Sequence, residues 1–355
     1  MFRYVFSLSL VMMLFGVRGR ACTTFLINKK GTMVFGKNYD WVTGAGIVCT
    51  NQRGLAKRSA AMPDGGTLDW ISKYGSISFN QYGKEFPNGG MNEAGLVVEL
   101  MWAEGTNYPA ADNRPAFSVL QWIQYQLDNN SSVEQVLATD ISIRISRQNP
   151  PLHYLVADSN GNAATIEFFD GKMVVHNGKD LPFPVLTNNP YSESVKAAEL
   201  SKVKEGNTKF SVADNSLQRF VKACSMATHT EQYSSSKPPV DYAFDILHEV
   251  AQGTFTKWSI VYDISKRSIS FKTLGADEAV MVELKAFDFK CTNPALVYDM
   301  SKAAKGNING RFTSYNQELN SRVIEKAVQE SISRISVTGQ QVAAQKAYPA
   351  TVVCK

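Results

Sequence analysis

Two short strand-like stretches joined by a loop follow the first 21 residues of the chain. They run Cys22-Thr-Thr-Phe-Leu-Ile-Asn28, then Lys-Lys-Gly-Thr, then Met33-Val-Phe-Gly-Lys-Asn38. β-branched and aromatic residues are frequent in both stretches, and the loop between them contains a glycine, which is typical of a β-hairpin. We therefore predict a hairpin that begins at Cys22.

Residues 1–21 have the layout of a secretory leader. Arg3 gives a basic start, residues 5–15 are apolar, and Gly19-Arg20-Ala21 is a small-x-small cleavage site. The apolar stretch is too short to span a bilayer comfortably. A buried first helix or a membrane anchor is the alternative. We predict a signal peptide at 1–21, export to the periplasm or secretion, no stable membrane anchor, and Cys22 as the new N-terminus.

The composition excludes several classes of protein. Apolar residues make up 44% of the chain and charged residues 19%, which suits a folded core and not a disordered chain. Residues 1–21 contain three arginines and no acid, so the formal net charge falls from +5 to +2 without them. No Lys/Arg cluster with interleaved aromatic residues occurs elsewhere, so we predict no nucleic-acid partner. The pair Lys57-Arg58 is interpreted as part of a solvated loop.

The spacing of apolar residues predicts alternating blocks of strands and helices. Strands are expected at residues 76–80, 97–102, 152–158, 163–169, 172–176, 183–188, 258–263, 268–272 and 280–284. Helices are expected near residues 117–127 and at 194–203, 216–226, 242–251 and 317–332. The four strands within residues 152–188 are predicted to form one antiparallel meander. This order favours an α+β class, with helices on antiparallel sheets, and a single domain over residues 22–355.

Cleavage before Cys22 would place its thiol beside a free α-amine, whose ordinary pKa is about 7.7–8.0. Such an amine can take the thiol proton and later deliver it to a leaving amine, so one residue supplies both nucleophile and base. Cys22 could instead be half of a disulfide in an exported protein, or the lipidated cysteine of a bacterial lipoprotein. Its position alone leaves all three interpretations open.

Five motifs with a characteristic order and spacing follow one another along the chain. They are Cys22-Thr-Thr, Phe35-Gly-Lys-Asn-Tyr-Asp-Trp41, Gly90-Met-Asn-Glu-Ala-Gly-Leu96, Leu186-Thr-Asn-Asn-Pro190 and Ser216-Leu-Gln-Arg-Phe220. The set resembles the choloylglycine hydrolase family of N-terminal-nucleophile amidases, which includes bile salt hydrolases, penicillin V acylases and some N-acyl homoserine lactone acylases. The resemblance extends from Cys22 to the strand that ends at Asp263.

This resemblance implies a fold, a type of partner and an assembly. The family has a four-layered αββα fold, acts on small-molecule amides, and needs neither a metal ion nor an organic cofactor. Because its members are often tetramers, the resemblance also implies a homotetramer.

The resemblance further implies roles for individual residues. Cys22 matches the nucleophile, and Asp40 matches the aspartate that binds the α-amine of the nucleophile. Asn188 matches an asparagine whose amide helps to form the oxyanion hole. Arg219 matches an arginine that lies near the nucleophile and organises the acid and amide groups.

Two positions depart from the common pattern. Many members have arginine where this chain has Lys37, which keeps the positive charge that favours a thiolate but loses the planar fork. Trp102 stands where the bile salt hydrolases have an oxyanion-site asparagine, although a backbone N–H there could still donate. Trp41 and Trp102 together predict an aromatic-lined acyl pocket, typical of the Gram-negative penicillin V acylase-like branch.

The sequence thus predicts an exported amidase that cleaves a linear, non-peptide amide through an acyl-thioester. The expected substrates are penicillin V-like amides, N-acyl homoserine lactones and conjugated bile salts, in that order. The alternative is a periplasmic lipoprotein, or a disulfide-bonded binding protein, with an inactive version of this fold.

Four further cysteines remain if Cys22 is the nucleophile. Cys49, Cys224, Cys291 and Cys354 could form two bridges with three possible connectivities. A bridge between Cys291 and Cys354 would tie down the C-terminal segment.

Overall fold

The computed structural model describes residues 22–29, 31–207, 214–230, 237–276 and 278–355. The predicted signal peptide lies outside the described residues. The strands within these ranges are β1 Thr23–Lys29, β2 Thr32–Asp40, β3 Ile47–Asn51, β4 Leu55–Arg58, β5 Asp69–Ile71, β6 Ser76–Asn80, β7 Gly89–Asn92, β8 Val97–Trp102, β9 Ala116–Phe117, β10 Arg144–Ile145, β11 Leu152–Ala157, β12 Ala163–Phe169, β13 Lys172–Asn177, β14 Val185–Leu186, β15 Thr256–Asp263, β16 Ser268–Thr273, β17 Val280–Glu283, β18 Leu296–Asp299, β19 Gly306–Asn307, β20 Thr313–Ser314 and β21 Val353–Cys354. The helices are α1 Val119–Asn129, α2 Val133–Ala138, α3 Tyr191–Leu200, α4 Asn215–Thr228, α5 Pro239–Glu249, α6 Gln317–Ser331 and α7 Gly339–Ala347.

Two large sheets form the centre of the molecule. In the described residues, the first sheet has the strand order β14-β1-β2-β15-β16-β17-β19 and the second has the order β13-β12-β11-β8-β7-β6-β3-β18-β20. Neighbouring strands are antiparallel, except that β19 runs parallel to β17. The predicted hairpin is confirmed as β1 and β2, whose register places Thr24 opposite Lys37.

The two sheets pack face to face and helices cover their outer faces. Phe35 of β2 and Phe79 of β6 both lie edge-on to Tyr262 of β15, with ring centroids 6.0 and 6.2 Å away. Helices α4 and α5 pack on the first sheet, whereas α1 packs on β7 and β8 of the second. The buried side of α6 lies against β3 and β18 of the second sheet. The layers are therefore helix, sheet, sheet and helix, which confirms the predicted class.

The predicted four-stranded meander is wrong in its last strand. β11, β12 and β13 are consecutive in the second sheet, but β14 lies in the first sheet, where Leu186 pairs with Thr24 of β1. Pro182 and Pro184 precede this pairing, and proline cannot donate to a sheet ladder, so the chain leaves the second sheet before it. This crossing brings the segment after β14, which contains Asn188, to the start of β1.

The interpretation of Lys57-Arg58 as a solvated loop is wrong, except that Arg58 is exposed. Both residues lie in β4, and the ammonium of Lys57 is fully buried. Its Nζ is 2.5 Å from Glu85 Oε2 and 2.9 Å from Asp128 Oδ2, and Lys84 Nζ is 2.5 Å from Glu85 Oε1. A buried charge is tolerated where oppositely charged groups pair with it. The residues around Lys57 in sequence do not reveal these partners, so its burial was not predicted.

Candidate active site

Cys22 lies directly before β1 and lines an apolar cavity. Its side chain is buried, and the backbone N–H of Asp40 and the Lys37 ammonium both act to lower the pKa of its thiol. Burial raises the pKa of the Cys22 thiol, the Lys37 cation opposes that shift, and the Asp40 carboxylate adds to it. Cys22 is a free thiol, as are Cys49 and Cys224.

Asp40 ends β2 and is fully buried, opposite Thr256 of β15. Thr256 Oγ1 donates to Asp40 Oδ1 at 2.5 Å, and Gln252 Nε2 donates to Asp40 Oδ2 at 2.6 Å. Two donors therefore fix the orientation of this carboxylate. Neither Gln252 nor Thr256 was predicted, because Gln252 lies just before β15 and Thr256 begins it, both more than 200 residues along the chain from Asp40.

Arg219 of α4 links the start of β1 to Asn188. Its Nη1 donates to the Cys22 carbonyl at 2.8 Å and to Thr23 Oγ1 at 2.7 Å, while its Nη2 donates to Asn188 Oδ1 at 2.7 Å. Its Nε donates to Asn215 Oδ1 at 3.1 Å, so every guanidinium nitrogen has a partner. Burial lowers the pKa of Arg219. The planar fork of arginine suits this task, since it holds several acceptors in one fixed geometry.

Asn188 has both ends of its side-chain amide fixed. Its Oδ1 accepts from Arg219, and its Nδ2 donates to the Trp102 carbonyl at 2.7 Å. Its backbone N–H donates to Ser216 Oγ at 2.9 Å. An amide NH₂ carries two donors and the Trp102 bond uses one, so a second N–H can serve a substrate oxygen.

Lys37 lies in β2 between the two sheets and has no solvent exposure. Its ammonium donates to the Leu100 carbonyl and lies 3.7 Å from Glu99 Oε2. Glu99 also accepts from the Tyr262 hydroxyl at 2.5 Å. Burial raises the pKa of Glu99 to about 7, although the Lys37 cation opposes this shift.

Sequence reasoning missed Glu99, although a signal was present. A glutamate in the middle of Val97-Val-Glu-Leu-Met-Trp102 places an acid on a strand that is otherwise apolar. A buried acid needs a buried partner, and Lys37 is that partner. Gly89 of the neighbouring strand β7 lies opposite Glu99 and leaves room for its side chain. Any other residue at position 89 would clash, because its Cβ would lie 2.2 Å from Glu99 Cδ.

Trp41 and Trp102 lie together at the cavity. Their ring centroids are 5.7 Å apart with planes tilted by 32°. Trp41 Nε1 donates to the Tyr82 hydroxyl at 2.9 Å, and Trp102 Nε1 donates to Glu104 Oε1 at 2.7 Å. These bonds satisfy the polar edges of both rings and leave their apolar faces available for contact.

The cavity has a volume of about 440 Å³ and a mostly apolar lining. Asp40 is the one acidic or basic side chain among its described lining residues. The apolar and aromatic lining includes Tyr39, Trp41, Met62, Tyr82, Phe86, Leu100, Trp102, Val119, Leu120, Leu152, Val328, Ile335, Val337 and Tyr348. The last four belong to the C-terminal segment, which sequence reasoning did not connect with the site. Such a cavity suits an uncharged, apolar group.

Over the described ranges, no group of three or more His, Cys, Asp or Glu side chains is arranged to hold a metal ion. Among the helices that the structure describes, none has the length and apolar character needed to cross a membrane. A disulfide joins Cys291 to Cys354, the pairing that ties down the C-terminal segment.

Comparison with known proteins identifies the family. The model of the linear amide C–N hydrolases, choloylglycine hydrolase family, matches residues 22–204. The chain belongs to this family. The match begins at Cys22 and includes Lys37, Asp40 and Asn188, while Arg219 and the C-terminal segment lie beyond it.

Individual relatives agree with this assignment. Penicillin V acylase from Pectobacterium atrosepticum is 25% identical over 239 residues, which cover 56% of this chain and 62% of that protein, so the match spans less than two thirds of the relative. The structure of penicillin V acylase from Agrobacterium tumefaciens has a TM-score of 0.72 and 25% identity, covering 83% of this chain and 98% of that one. A mutant conjugated bile acid hydrolase from Clostridium perfringens, at 17% identity and a TM-score of 0.64 over 81% of this chain and 98% of that one, shares the fold.

Proposed function

We propose that this protein is a cysteine amidase whose nucleophile is Cys22 and whose substrate is a linear amide with an uncharged, apolar acyl group. One observation carries the proposal: Cys22, Lys37, Asn188 and Arg219 converge beside the aromatic-lined cavity. Family membership supports the reaction class, which is hydrolysis of a linear amide C–N bond.

The proposed reaction begins with removal of residues 1–21, which frees the α-amine of Cys22. That amine takes the thiol proton, and the sulphur attacks the substrate carbonyl. The C–N bond then breaks as the α-ammonium protonates the leaving amine, and an acyl-thioester remains. Water, deprotonated by the same α-amine, attacks the thioester; the carboxylic acid leaves, and the proton returns to the sulphur.

The surrounding residues support each step of this reaction. Lys37 stabilises the thiolate, and Asp40, fixed by its two donors, would hold the α-ammonium of Cys22. The second N–H of Asn188 and a backbone N–H near Trp102 would stabilise the oxyanion. Arg219 acts as a positioning residue, because its hydrogen bonds fix Asn188 relative to Cys22.

The cavity supports an order of preferred substrates. The aromatic acyl group of a penicillin V-like amide would pack against Trp41 and Trp102, and the long apolar lining would accept the chain of an N-acyl homoserine lactone. Conjugated bile salts come third. We propose no metal ion or organic cofactor for this chemistry.

Export and assembly belong to the same proposal. The protein would be periplasmic or secreted after cleavage and would assemble as a homotetramer. Fractionation of cells and light scattering of the purified protein measure these two properties directly.

Mass spectrometry of the purified protein, combined with hydrolysis assays of two variants, tests the nucleophile. We expect a mature N-terminus at Cys22, a loss of activity to background in Cys22→Ala, and a strong reduction in Cys22→Ser, whose hydroxyl is a poorer nucleophile. Iodoacetamide should label Cys22 and not Cys49, because burial raises the pKa of the Cys49 thiol to about 12.

A different N-terminus, or full activity in Cys22→Ala, would refute the mechanism. A lipid on Cys22 would block its amine and favour the lipoprotein alternative. A panel of penicillin V, acyl homoserine lactones and glycine- or taurine-conjugated bile salts then measures the substrate preference of the wild-type protein.

A further inference from the structure

The C-terminal segment supplies part of the cavity wall. Val328 of α6, Ile335 and Val337 of the connection, and Tyr348 after α7 all line the cavity that contains Cys22. These residues lie more than 100 positions beyond the end of the family-model match at residue 204. The wall therefore lies outside the part of the chain that the family model matches.

This wall has little core of its own and is fastened at its ends. Helix α7 has no buried residue. On one side, α6 packs on the second sheet through Val323. On the other side, the Cys291–Cys354 disulfide and the pairing of β21 with β4 hold the chain. Tyr348 adds a hydrogen bond of 2.8 Å to the Arg58 carbonyl.

A chain of hydrogen bonds connects the wall to the aromatic pair. Ser331, fully buried at the end of α6, accepts from the Tyr82 hydroxyl at 3.1 Å and donates to the Ala327 carbonyl at 2.6 Å. The Tyr82 hydroxyl in turn accepts from Trp41 Nε1 at 2.9 Å. The position of α6 is thus coupled to the position of Trp41 beside Cys22.

We propose that residues 328–348 form the specificity-determining wall of the acyl pocket, and that Ile335 and Val337 set the length of acyl chain that fits. This inference rests on the proposed amidase function. The half-buried side chains of Ile335 and Val337 present apolar surface to the cavity, and an acyl chain would cover that surface on binding. A larger side chain at either position would occupy the space that the end of a long acyl chain needs.

Enlarging Ile335 tests the wall against a matched control three residues away. Ile335→Trp should lower kcat/KM for a dodecanoyl homoserine lactone about tenfold or more relative to the hexanoyl compound, the scale of effect expected from overfilling a packed site. Ile332 is 58% exposed and does not line the cavity. Ile332→Trp should therefore leave the ratio of the two kcat/KM values, dodecanoyl to hexanoyl, unchanged. Val337→Trp serves as a second variant if Ile335→Trp does not fold.

A binding measurement separates failure of this inference from failure of the proposed function. Calorimetric titration of Cys22→Ala protein with hexanoate and dodecanoate needs no turnover. We expect Ile335→Trp to weaken dodecanoate binding selectively in that background, whatever the wild-type protein hydrolyses. Two outcomes would overturn the proposal. One is that Ile335→Trp and Ile332→Trp change the ratio of dodecanoate affinity to hexanoate affinity equally, and the other is that neither carboxylate binds to Cys22→Ala.

Discussion

Lys37 lies between an acid and a thiol, and it acts on both. Its positive charge acts to lower the pKa of the Cys22 thiol, and its ammonium lies 3.7 Å from the Glu99 carboxylate. Because burial raises the pKa of Glu99 to about 7, this acid changes its charge near neutral pH. Below that pH Glu99 is neutral and the full charge of Lys37 favours a thiolate; above it, the carboxylate offsets Lys37.

Replacing Glu99 with glutamine tests this coupling. Since the amide cannot ionise, we expect the Cys22 thiolate of Glu99→Gln to form at lower pH than in the wild-type protein. The measurement is the rate of iodoacetamide alkylation of Cys22 as a function of pH. Glu134→Gln, at an exposed position of α2, is the control. Coincident alkylation curves for the wild-type protein and Glu99→Gln would contradict the coupling.

The raised pKa of Glu99 also predicts how the stability of the folded protein depends on pH. The folded protein raises the pKa of Glu99 from its usual value near 4.3 to about 7, so folding favours the protonated acid. Its contribution is fully present below about pH 4 and is lost as the pH rises through about 7, an effect of about 3–4 kcal/mol. In Glu99→Gln, the free energy of unfolding should therefore fall less between about pH 5 and pH 8 than in the wild-type protein, as measured by urea unfolding. Parallel curves would show that Glu99 does not ionise in this range.

At the scale of elements, a covalent tie fastens the C-terminal wall beside a helix that buries no residue. Helix α7 lacks buried residues, and β21 has two residues, yet Tyr348 and α7 stay against the cavity. The bridge between Cys291 and Cys354 spans 63 positions of sequence. In the chain-entropy description, a loop of that length stabilises the folded state by about 4 kcal/mol.

Removing the bridge should weaken both the fold and the pocket. We expect the double variant Cys291→Ser, Cys354→Ser to lose up to about 4 kcal/mol of unfolding free energy and to show a higher KM for long acyl chains. Guanidinium unfolding and steady-state kinetics measure the two effects. A reducing agent should reproduce them in the wild-type protein and have no effect on the double variant. A variant with unchanged KM would show that the wall holds its position without the bridge.

At the scale of the whole molecule, a buried ionic cluster joins parts of the chain that are far apart in sequence. Lys57 of β4, Lys84, Glu85 and Asp128 of α1 form it, and all are buried. Burial would lower the pKa of Lys57, but the Asp128 and Glu85 carboxylates prevail and raise it. Glu85 adopts a left-handed backbone with a φ of 75°, an arrangement that the ion pairs hold in place.

The neighbouring pair Lys57 and Arg58 provides a test with an internal control. Lys57→Met leaves two buried carboxylates without their shared cation and should cost about 3–5 kcal/mol of stability. Arg58→Met removes an exposed ion pair with Asp69 and should change stability little. Thermal or urea unfolding of the two variants measures the difference. Equal losses would show that the Lys57 cluster contributes no more than a surface pair.

The local pattern of residues predicted the hairpin and most helices, and the sequence motifs named several residues of the candidate active site. Strand alternation, helical spacing and turn residues act over a few positions, so β1, β2 and α4 follow from the segments that form them. The family motifs named Cys22, Asp40, Asn188 and Arg219, and the structure brings these four residues together.

Long-range pairing decided everything that local pattern could not. The crossing of β14 to the first sheet, the burial of Lys57, the partnership of Glu99 with Lys37 and the C-terminal wall all join residues at least 28 positions apart. The residues next to Lys57 in sequence do not show whether its side chain is buried or solvated. Only the packing of the distant carboxylates against it decides this. The sequence by itself thus determined which residues could do chemistry, whereas the tertiary structure decided which partners set their charge and what surrounds the substrate.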